Sequence, residues 1–498
     1  MTPQRPSVWT IAGSDPSGGA GVQMDLRLLN TFELYVGSVI TAVTAQSLVH
    51  FSASTVLAPD LVTRQLDALA AAPMPAPRAI KIGMIGSAEN ARVIGAALAQ
   101  HRAFVVLDPV TTSTSGGTLA DASAIAELRS LLRSIDLLTP NIPEAESLLG
   151  ASIRHAEDMP AAAAALRRLG AKHVLIKGGH LGGPVVLDFF QGEDTSFWLS
   201  NHRLGGQVRG TGCALASAIA AYVALGHSLS ESLVLARARI THGFAHAQDV
   251  CPNGRLLGDL AGALMPDDMP WLNNGQGLPD QRPLFPSCGP EPLGFYPVVE
   301  SSAWVKRCGD LGVTTIQLRV KDLSGSELRR EIRTAIEYCA PRGIRLFIND
   351  YWDLALEMGA YGVHLGQSDL GQCDLRQLAA ANLRLGISTH SYDEAARAHA
   401  LRPSYIALGP IFQTTSKDMP FAPQGLARIA EWQRLWPYPL VAIGGLTVAH
   451  AAEAMRRGAN GVACISAVTK AADPEQQIRR WLNAVTPGID SAVPPGQR

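Results

Sequence analysis

Two α/β domains in series are what this 498-residue sequence predicts: a mostly parallel sheet covered by helices, then a compact (β/α)8 barrel. Three observations carry that expectation. Short apolar runs alternate with helix-length patterns along most of the chain, as parallel strands joined by crossover helices require. The alternation breaks once, over 266–292, in PDDMPWLNNGQGLPDQRPLFPSCGPEP, where proline density and lost periodicity mark a linker. A chain of this length also exceeds what one ordinary core supports. The expected boundaries are a first domain over 1–265, a linker over 266–292, a barrel over 293–486 and a tail over 487–498.

Composition narrows the function classes. Hydrophobic residues make up 47% and charged residues 17%, the balance of a globular protein. The formal net charge is −1, so no overall field recruits nucleic acid or an anionic membrane, and local basic residues call for local ligands. The seven cysteines are odd in number and scattered, with no CxxC pair. That argues against a disulfide framework or a zinc site and for a reducing cytoplasmic setting. The N-terminus, MTPQRPSVWTIAGSDPSGG, lacks the apolar region of a signal peptide. The longest apolar run, around Leu215–Leu225, is too short to span a bilayer. Small-molecule partners are therefore expected, with no nucleic acid and no membrane, and homo-oligomer formation is left open.

In the first half, Val8–Ala12 reads as a buried strand running into a glycine loop, Gly13–Gly21, and then a helix over Val22–Leu34. A strand, a glycine loop and a helix make a ligand site at the carboxyl edge of a sheet. Further strand-like runs follow at Ser38–Thr44, Ala79–Ile82, Phe104–Leu107, Leu137–Thr139, Val174–Ile176 and Val185–Phe189. Helix-like stretches such as Pro59–Ala72, Ala88–His101 and Pro160–Leu169 lie between most of them. Polar residues gather just past the strand ends: Gln46, Lys81–Gly83–Met84, Asp108, Asn141 with Glu144, and Lys177–Gly178–Gly179–His180. One such residue is usually a cap; a whole edge of them suggests a site.

The stretch GGQVRGTGCALASAIAAY, Gly205–Tyr222, enters an Ala-rich helix that Gly226 should stop. Gly210, Thr211 and Gly212 then sit on the turn into the helix, where unpaired N–H groups and the helix dipole make an anion site. The same field should lower the pKa of Cys213 and make its thiolate a usable base.

Together, IAGSDPSGGAG, SVITAVTAQ, IKIGM, LDPV with STSGG, LLTPNIPEAE, KGGH and RGTGCALASAIAA resemble hydroxymethylpyrimidine and phosphomethylpyrimidine kinases of the ribokinase-like fold, across roughly residues 7–250. The resemblance implies ATP-dependent phosphorylation of hydroxymethylpyrimidine to its mono- and diphosphate. It implies pyrimidine contacts from Gly13, Ala20, Asp25, Gln46 and Met84. It puts Asn141 and Glu144 near Mg·ATP, Lys177 near its phosphates, the 210–212 loop at the transferring phosphoryl group and Cys213 next to the substrate hydroxyl. Two positions depart from the family pattern, with Arg209 where His is usual before GTGC and Thr111 where Met is usual after DPV.

The second half shows eight strand-like runs: Phe295–Val299, Val313–Leu318, Ile344–Ile348, Gly362–Leu365, Leu383–Ile387, Tyr405–Leu408, Leu440–Ile443 and Val462–Ile465. Eight βα units imply a (β/α)8, or TIM, barrel, whose chemistry lies where the strands end. Those ends carry Gln317, Arg319 and Lys321, then Asn349–Asp350, Gln367 and Asp369, Ser388, Lys417, Gly444–Gly445 and Ser466. Asp350 and Asp369 are hard oxygen donors suited to Mg²⁺; Arg319, Lys321, Asn349 and Lys417 suit a pyrophosphate.

QLRVKD, FINDYWDLA, AYGVHLGQSDL, LGISTH, YIALGPIFQTTSKDMPFAPQG and VAIGGL resemble thiamine phosphate synthase over essentially this whole half, although Gln413 stands where Pro is common. By that resemblance Gln317, Arg319, Lys321, Asn349, Ser388 and Lys417 bind the pyrimidine diphosphate, with Arg319 and Lys417 stabilising the departing pyrophosphate. Asp350 and Asp369 hold Mg²⁺, and Thr414, Ser416, Gly445, Ile465 and Ser466 bind the thiazole phosphate. One rival reading is a pyridoxal-type kinase joined to a thiazole tautomerase-like barrel. Another is a ligand-binding regulator with one inactive half. The Asp350, Asp369 and Lys417 set weighs against the first, and the intact Cys213 and carboxylates against the second.

Overall fold

The computed structural model describes residues 5–71, 73–111, 122–274, 285–413 and 421–486. The chain divides into two compact units, Met1–Gln276 and Gly277–Arg498. Thr414, Ser416, Lys417, the 113–117 STSGG motif and the expected 487–498 tail lie outside the described residues.

The first unit is built on a ten-stranded sheet. Its strands begin with β1 (Ser7–Ser14), β2 (Tyr35–Gln46), β3 (Phe51–Val56), β4 (Pro77–Ile82), β5 (Phe104–Leu107) and β6 (Leu137–Leu138). They continue with β7 (His173–Ile176), β8 (Val185–Gln191) and β9 (Ser196–His202); a separate ribbon pairs β10 (Gln248–Cys251) with β11 (Gly254–Leu256), and β12 (Trp271–Asn273) closes the edge. The order is β12-β9-β8-β7-β6-β5-β4-β1-β2-β3. Pairing is parallel from β2 through β1, β4, β5 and β6 to β7, and antiparallel at both margins. Helices Gly21–Leu29 and Thr211–Ala224 cover one face; Pro59–Ala70, Ala88–Leu98, Ala122–Leu131, Ile142–Leu149 and Met159–Leu169 cover the other. The mostly parallel, helix-covered three-layer architecture expected from the alternation is what forms.

Three strands of this sheet were not anticipated, nor was the separate β10–β11 ribbon. Phe51–Val56 is mostly exposed, and Ser196–His202 carries Ser, Trp and Asn as readily as aliphatics, so neither shows the apolar run that marks a central strand. Trp271–Asn273 falls inside the stretch read as linker and pairs antiparallel with β9, while Cys288 packs in the apolar core of the second unit.

Strand order reverses at β1, with β2 on one side and β4 on the other, which opens a crevice at their carboxyl ends. Helix Thr211–Ala224 is apolar nearly all round, and from Ala214 onward almost every residue is buried. It packs against β1, β4 and β5, so its first turn points at that crevice.

The second unit is a closed barrel of eight parallel strands: β13 (Gly294–Val299), β14 (Thr315–Leu318), β15 (Arg345–Asn349), β16 (Gly362–Leu365), β17 (Arg384–Thr389), β18 (Tyr405–Leu408), β19 (Leu440–Ile443) and β20 (Gly461–Cys464). Every expected run becomes a strand, in order. The interior is aromatic as well as aliphatic, with Tyr296, Phe347 and Tyr405 fully buried against Val441 and Ala463.

Candidate active sites

In the first unit, two glycine loops meet. Gly21 has φ +58°, and a Cβ there would lie 2.2 Å from the Gly13 carbonyl oxygen. Gly210, the cap of the buried helix, has φ +79°, and a Cβ would lie 2.4 Å from the Gly19 carbonyl. Only glycine lets the 13–21 loop and the 210–213 turn lie this close. Cys213 stands in the helix's first turn, where the Gly21 N–H favours its thiolate.

Lys177, at the end of β7, places its Nζ 2.6 Å from Asp108 Oδ1 and 3.8 Å from Glu144 Oε2. A Cβ on Gly212 would lie 3.1 Å from that Nζ, so the ammonium sits against the helix's first turn. Asn141 and Glu144 form a capping box on Ile142–Leu149, each side chain accepting the other's backbone N–H. The predicted Asn141, Glu144, Lys177 and Gly212 are thus brought together. Asp108, noted in sequence only as a strand-end residue, joins them. Burial alone would lower the Lys177 pKa, but Asp108 and Glu144 raise it overall. Burial pushes Glu144 up to about 7 against the opposing pull of Lys177, with Asp108 adding to the rise.

Cys213 corrects an expectation. Desolvation raises its thiol to about 11 despite the nearby Lys81 charge, while Asp25 and Asp108 push it further up. A helix N-terminus lowers a thiol's pKa only when burial does not outweigh it.

Asp25, expected at the pyrimidine edge, is fully buried and already occupied. Its oxygens accept from Lys81 Nζ at 2.7 and 2.9 Å, from Thr10 at 2.5 Å and from Ser217 at 2.9 Å. Met84 lines the crevice, its sulfur 2.8 Å from where a Gly13 Cβ would stand, and its carbonyl accepts from Thr41. Ala20 caps Gly21–Leu29. Gln46 ends β2 with a buried Oε1 that has no hydrogen-bond partner, a polar group fitted to a ligand. Arg209, considered as an extra phosphate contact, instead donates to the Leu48 carbonyl at 2.6 Å, and its N–H bonds the Arg255 carbonyl.

In the barrel, the expected side chains among the described residues lie at or just past carboxyl strand ends. Asp350 directly follows β15 with φ +65°, its N–H donating to the His364 carbonyl at 3.1 Å. Asp369 follows the adjacent β16 and accepts the Gly366 N–H at 3.1 Å. Two carboxylates at neighbouring strand ends are the hard oxygen donors Mg²⁺ takes, so the donor set fits that ion. Arg319 is half-buried and Lys321 exposed beyond β14, while Asn349 is buried at the end of β15. Gly445 has φ +66°, and a Cβ would lie 2.5 Å from the Gln413 carbonyl; Ile465 and Ser466 open a short helix after β20.

Below these ends runs a polar chain that sequence reasoning missed. Gln317 Nε2 donates to Tyr296 Oη at 3.4 Å, and Tyr296 bonds Tyr405 at 2.8 Å. Tyr405 bonds His364 Nδ1 at 2.7 Å, and His364 Nε2 bonds Ser388 Oγ at 2.8 Å. Burial, helped by Arg319 and His390, lowers His364 to about 4. The chain fixes two predicted ligand residues, Gln317 and Ser388, from beneath. Its signal was an isolated His inside the apolar run GVHL.

A glycine-capped helix start beside a lysine–carboxylate cluster, and a barrel with acid and base at its strand ends, define a chain with two phosphate-handling enzyme units. A family model described as phosphomethylpyrimidine kinase matches residues 15–254, and one described as thiamine monophosphate synthase matches 296–468. The chloroplastic thiamine biosynthetic bifunctional enzyme of Arabidopsis thaliana is 33% identical over 487 residues, covering 93% of this chain and 90% of that one. The thiamine-phosphate synthase of Serratia proteamaculans is 52% identical over 190 residues, 38% of this chain and 89% of its own. The solved phosphomethylpyrimidine kinase of Clostridium difficile is 37% identical with a TM-score of 0.42, covering 48% of this chain and 98% of its own. The chain belongs to the family of bifunctional thiamine biosynthetic enzymes.

Proposed function

We propose that the first unit phosphorylates hydroxymethylpyrimidine, by ATP, to its mono- and then diphosphate. The second joins that diphosphate to thiazole phosphate, giving thiamine phosphate and pyrophosphate. The observation that carries the first half is the Lys177–Asp108–Glu144 cluster lying against Gly212 at the start of a buried helix. The 210–212 N–H groups receive the transferring phosphoryl oxygens, Lys177 balances their charge, and Asn141 and Glu144 stand by Mg·ATP. Gly13, Ala20, Met84 and the unpartnered Gln46 Oε1 receive the pyrimidine, while Asp25 acts indirectly by holding Lys81. Phosphoryl transfer passes through a loose transition state, so little proton removal precedes attack. A protonated thiol cannot take that proton, so Cys213 accepts it only as the thiolate, the minority form with its thiol raised to about 11.

In the barrel, Mg²⁺ held by Asp350 and Asp369 would supply charge for the pyrophosphate. Gln317, Arg319, Lys321, Asn349, Ser388 and Lys417 orient the diphosphate, and Arg319 and Lys417 balance the charge that develops on the leaving oxygen. Thr414, Ser416, Gly445, Ile465 and Ser466 receive the thiazole phosphate. A cytoplasmic setting is part of this reading; all seven cysteines are free and no described helix is long and apolar enough to cross a membrane.

The test is one assay with hydroxymethylpyrimidine, ATP, Mg²⁺ and thiazole phosphate. Thiamine phosphate should accumulate only when all four are present. Phosphorylation of pyridoxal with none of hydroxymethylpyrimidine would replace the kinase reading by the pyridoxal one.

A further inference from the structure

Helix Leu229–Ala245 ends in THGFAH, which puts His242 and His246 one turn apart on the same face. Their rings lie 4.2 Å apart between centroids. Asp259 joins them: its Oδ2 is 3.2 Å from His242 Nε2, and one ligand atom from each of the three residues lies within 4.8 Å of the others. None of the three belongs to the kinase or synthase residues above.

The surroundings are arranged for an ion. His242 Nδ1 bonds the buried Asp268 carboxylate at 2.9 Å, and that same oxygen accepts the Met265 N–H. A carboxylate on the far nitrogen fixes the ring and strengthens the near one as a ligand. His246 Nδ1 donates to the His242 carbonyl at 2.9 Å, which leaves Nε2 as its lone-pair nitrogen. Asp259 holds a left-handed φ of +42°, uncommon outside glycine and found where a side chain must be aimed. At Gly262 a Cβ would stand 2.2 Å from Asp259 Oδ2 and 2.5 Å from His242 Nε2, so glycine keeps the pocket open. The cluster also sits at a helix C-terminus, whose dipole favours a cation.

We propose that His242, His246 and Asp259 bind a divalent transition-metal ion of the zinc class, with Asp268 as the positioning residue and solvent in the fourth place. Two imidazoles and one carboxylate suit such an ion and not Mg²⁺, which prefers oxygen ligands. The 3.2 Å between His242 Nε2 and Asp259 Oδ2 compares with about 3.3 Å for two ligands at about 2.05 Å on a tetrahedral ion. As a ligand His242 offers its Nε2 lone pair, with the ring proton on Nδ1 in its bond to Asp268. The ion would tie the 254–262 segment to this helix. That segment also carries the Arg255 carbonyl, which holds the Arg209 N–H just before the anion loop, so the role is structural support behind the kinase site.

The test uses the full chain, stripped with chelator and titrated calorimetrically with Zn²⁺ in excess Mg²⁺ to keep the other carboxylate sites occupied. Wild type should bind one more equivalent than His246→Gln, a change at an exposed position. Asp259→Asn should weaken that equivalent at least about tenfold, and Asp268→Asn about 10–100-fold. Far-UV circular dichroism checks that each variant is folded, and Zn²⁺ should raise the Tm of wild type more than that of His246→Gln. Equal stoichiometry, affinity and Tm shift in wild type, His246→Gln and Asp259→Asn would overturn the site.

Discussion

Lys81 Nζ lies 2.9 and 2.7 Å from the two carboxylate oxygens of Asp25, and neither side chain has any exposed surface. Burial, the largest influence on Lys81, would lower its pKa, but Asp25, Cys213 and Asp108 together raise it. The pair therefore keeps a positive charge beside the thiol without opening either group to water. Asp25→Asn leaves that charge uncompensated and should cost about 3–5 kcal/mol in urea denaturation of the full chain. Lys81→Met should cost a similar amount, and Asp25→Asn combined with Lys81→Met should cost less than the sum of the two. Simple addition of the two single effects would rule out the pairing.

A second stability effect is set by pH. His399 is buried, bonds Tyr438 Oη through Nδ1 at 2.9 Å, and burial lowers it from 6.5 to about 4, with Arg402 adding to the shift. A histidine whose folded pKa is depressed contributes stability that is present above the unfolded value and lost as pH falls from 6.5 through 4. The full span is on the order of 3 kcal/mol. Relative to wild type, His399→Gln should lose less stability between pH 7 and 4. Parallel pH profiles for the two proteins would dismiss the buried neutral histidine.

What could be read from the sequence follows from how local each signal is. All eight barrel strands were legible because each is a short apolar run between helix-length stretches, and the Lys177, Asn141 and Glu144 cluster because Lys177 and Asn141 follow parallel strands and Glu144 opens the helix after one. Lys81 carried a readable signal, a charge inside the apolar run AIKI, but its partner Asp25 comes from a helix 56 positions away. For the same reason Asp25 looked like an open ligand contact. Sequence also marked the helix start at Cys213 but not its depth, and depth decides its pKa. Trp271–Asn273 was hidden because three residues among prolines have no periodicity; only the edge of β9 makes them a strand.

Synthase chemistry should depend on the barrel carboxylates. Asp350→Asn and Asp369→Asn remove a charge without removing an acceptor, so the Gly366 N–H bond to residue 369 survives. Loss of several kcal/mol of charge stabilisation corresponds to about 100-fold or more in thiamine phosphate formation. Pyrimidine phosphorylation, measured in the same preparations, should be unchanged. Unaltered Mg²⁺ dependence of the synthase in both variants would remove them from the metal site.

Cys213 separates a thiol held protonated from one activated by its helix. With its pKa raised to about 11 by desolvation, little thiolate exists near neutrality in the free enzyme. Inactivation of the kinase by iodoacetamide should therefore be slow at pH 7 and rise roughly tenfold per pH unit towards pH 10, since thiolate is the reacting form. Pyrimidine should protect more than ATP, because Cys213 stands on the turn that meets the 13–21 loop, with Lys81 and Asp25 as well as Asp108 acting on it. The synthase activity of the same chains should survive. Cys213→Ala should keep the fold and ATP binding, the Lys177 cluster being intact, while phosphoryl transfer falls by about 10²–10⁴-fold if the sulfur accepts the hydroxyl proton. Alkylation already fast at pH 7 would show that the dipole wins over burial. Near-normal turnover in Cys213→Ala would leave transfer to the 210–212 amides and Lys177 alone, and Cys213 would then have no part in moving the proton.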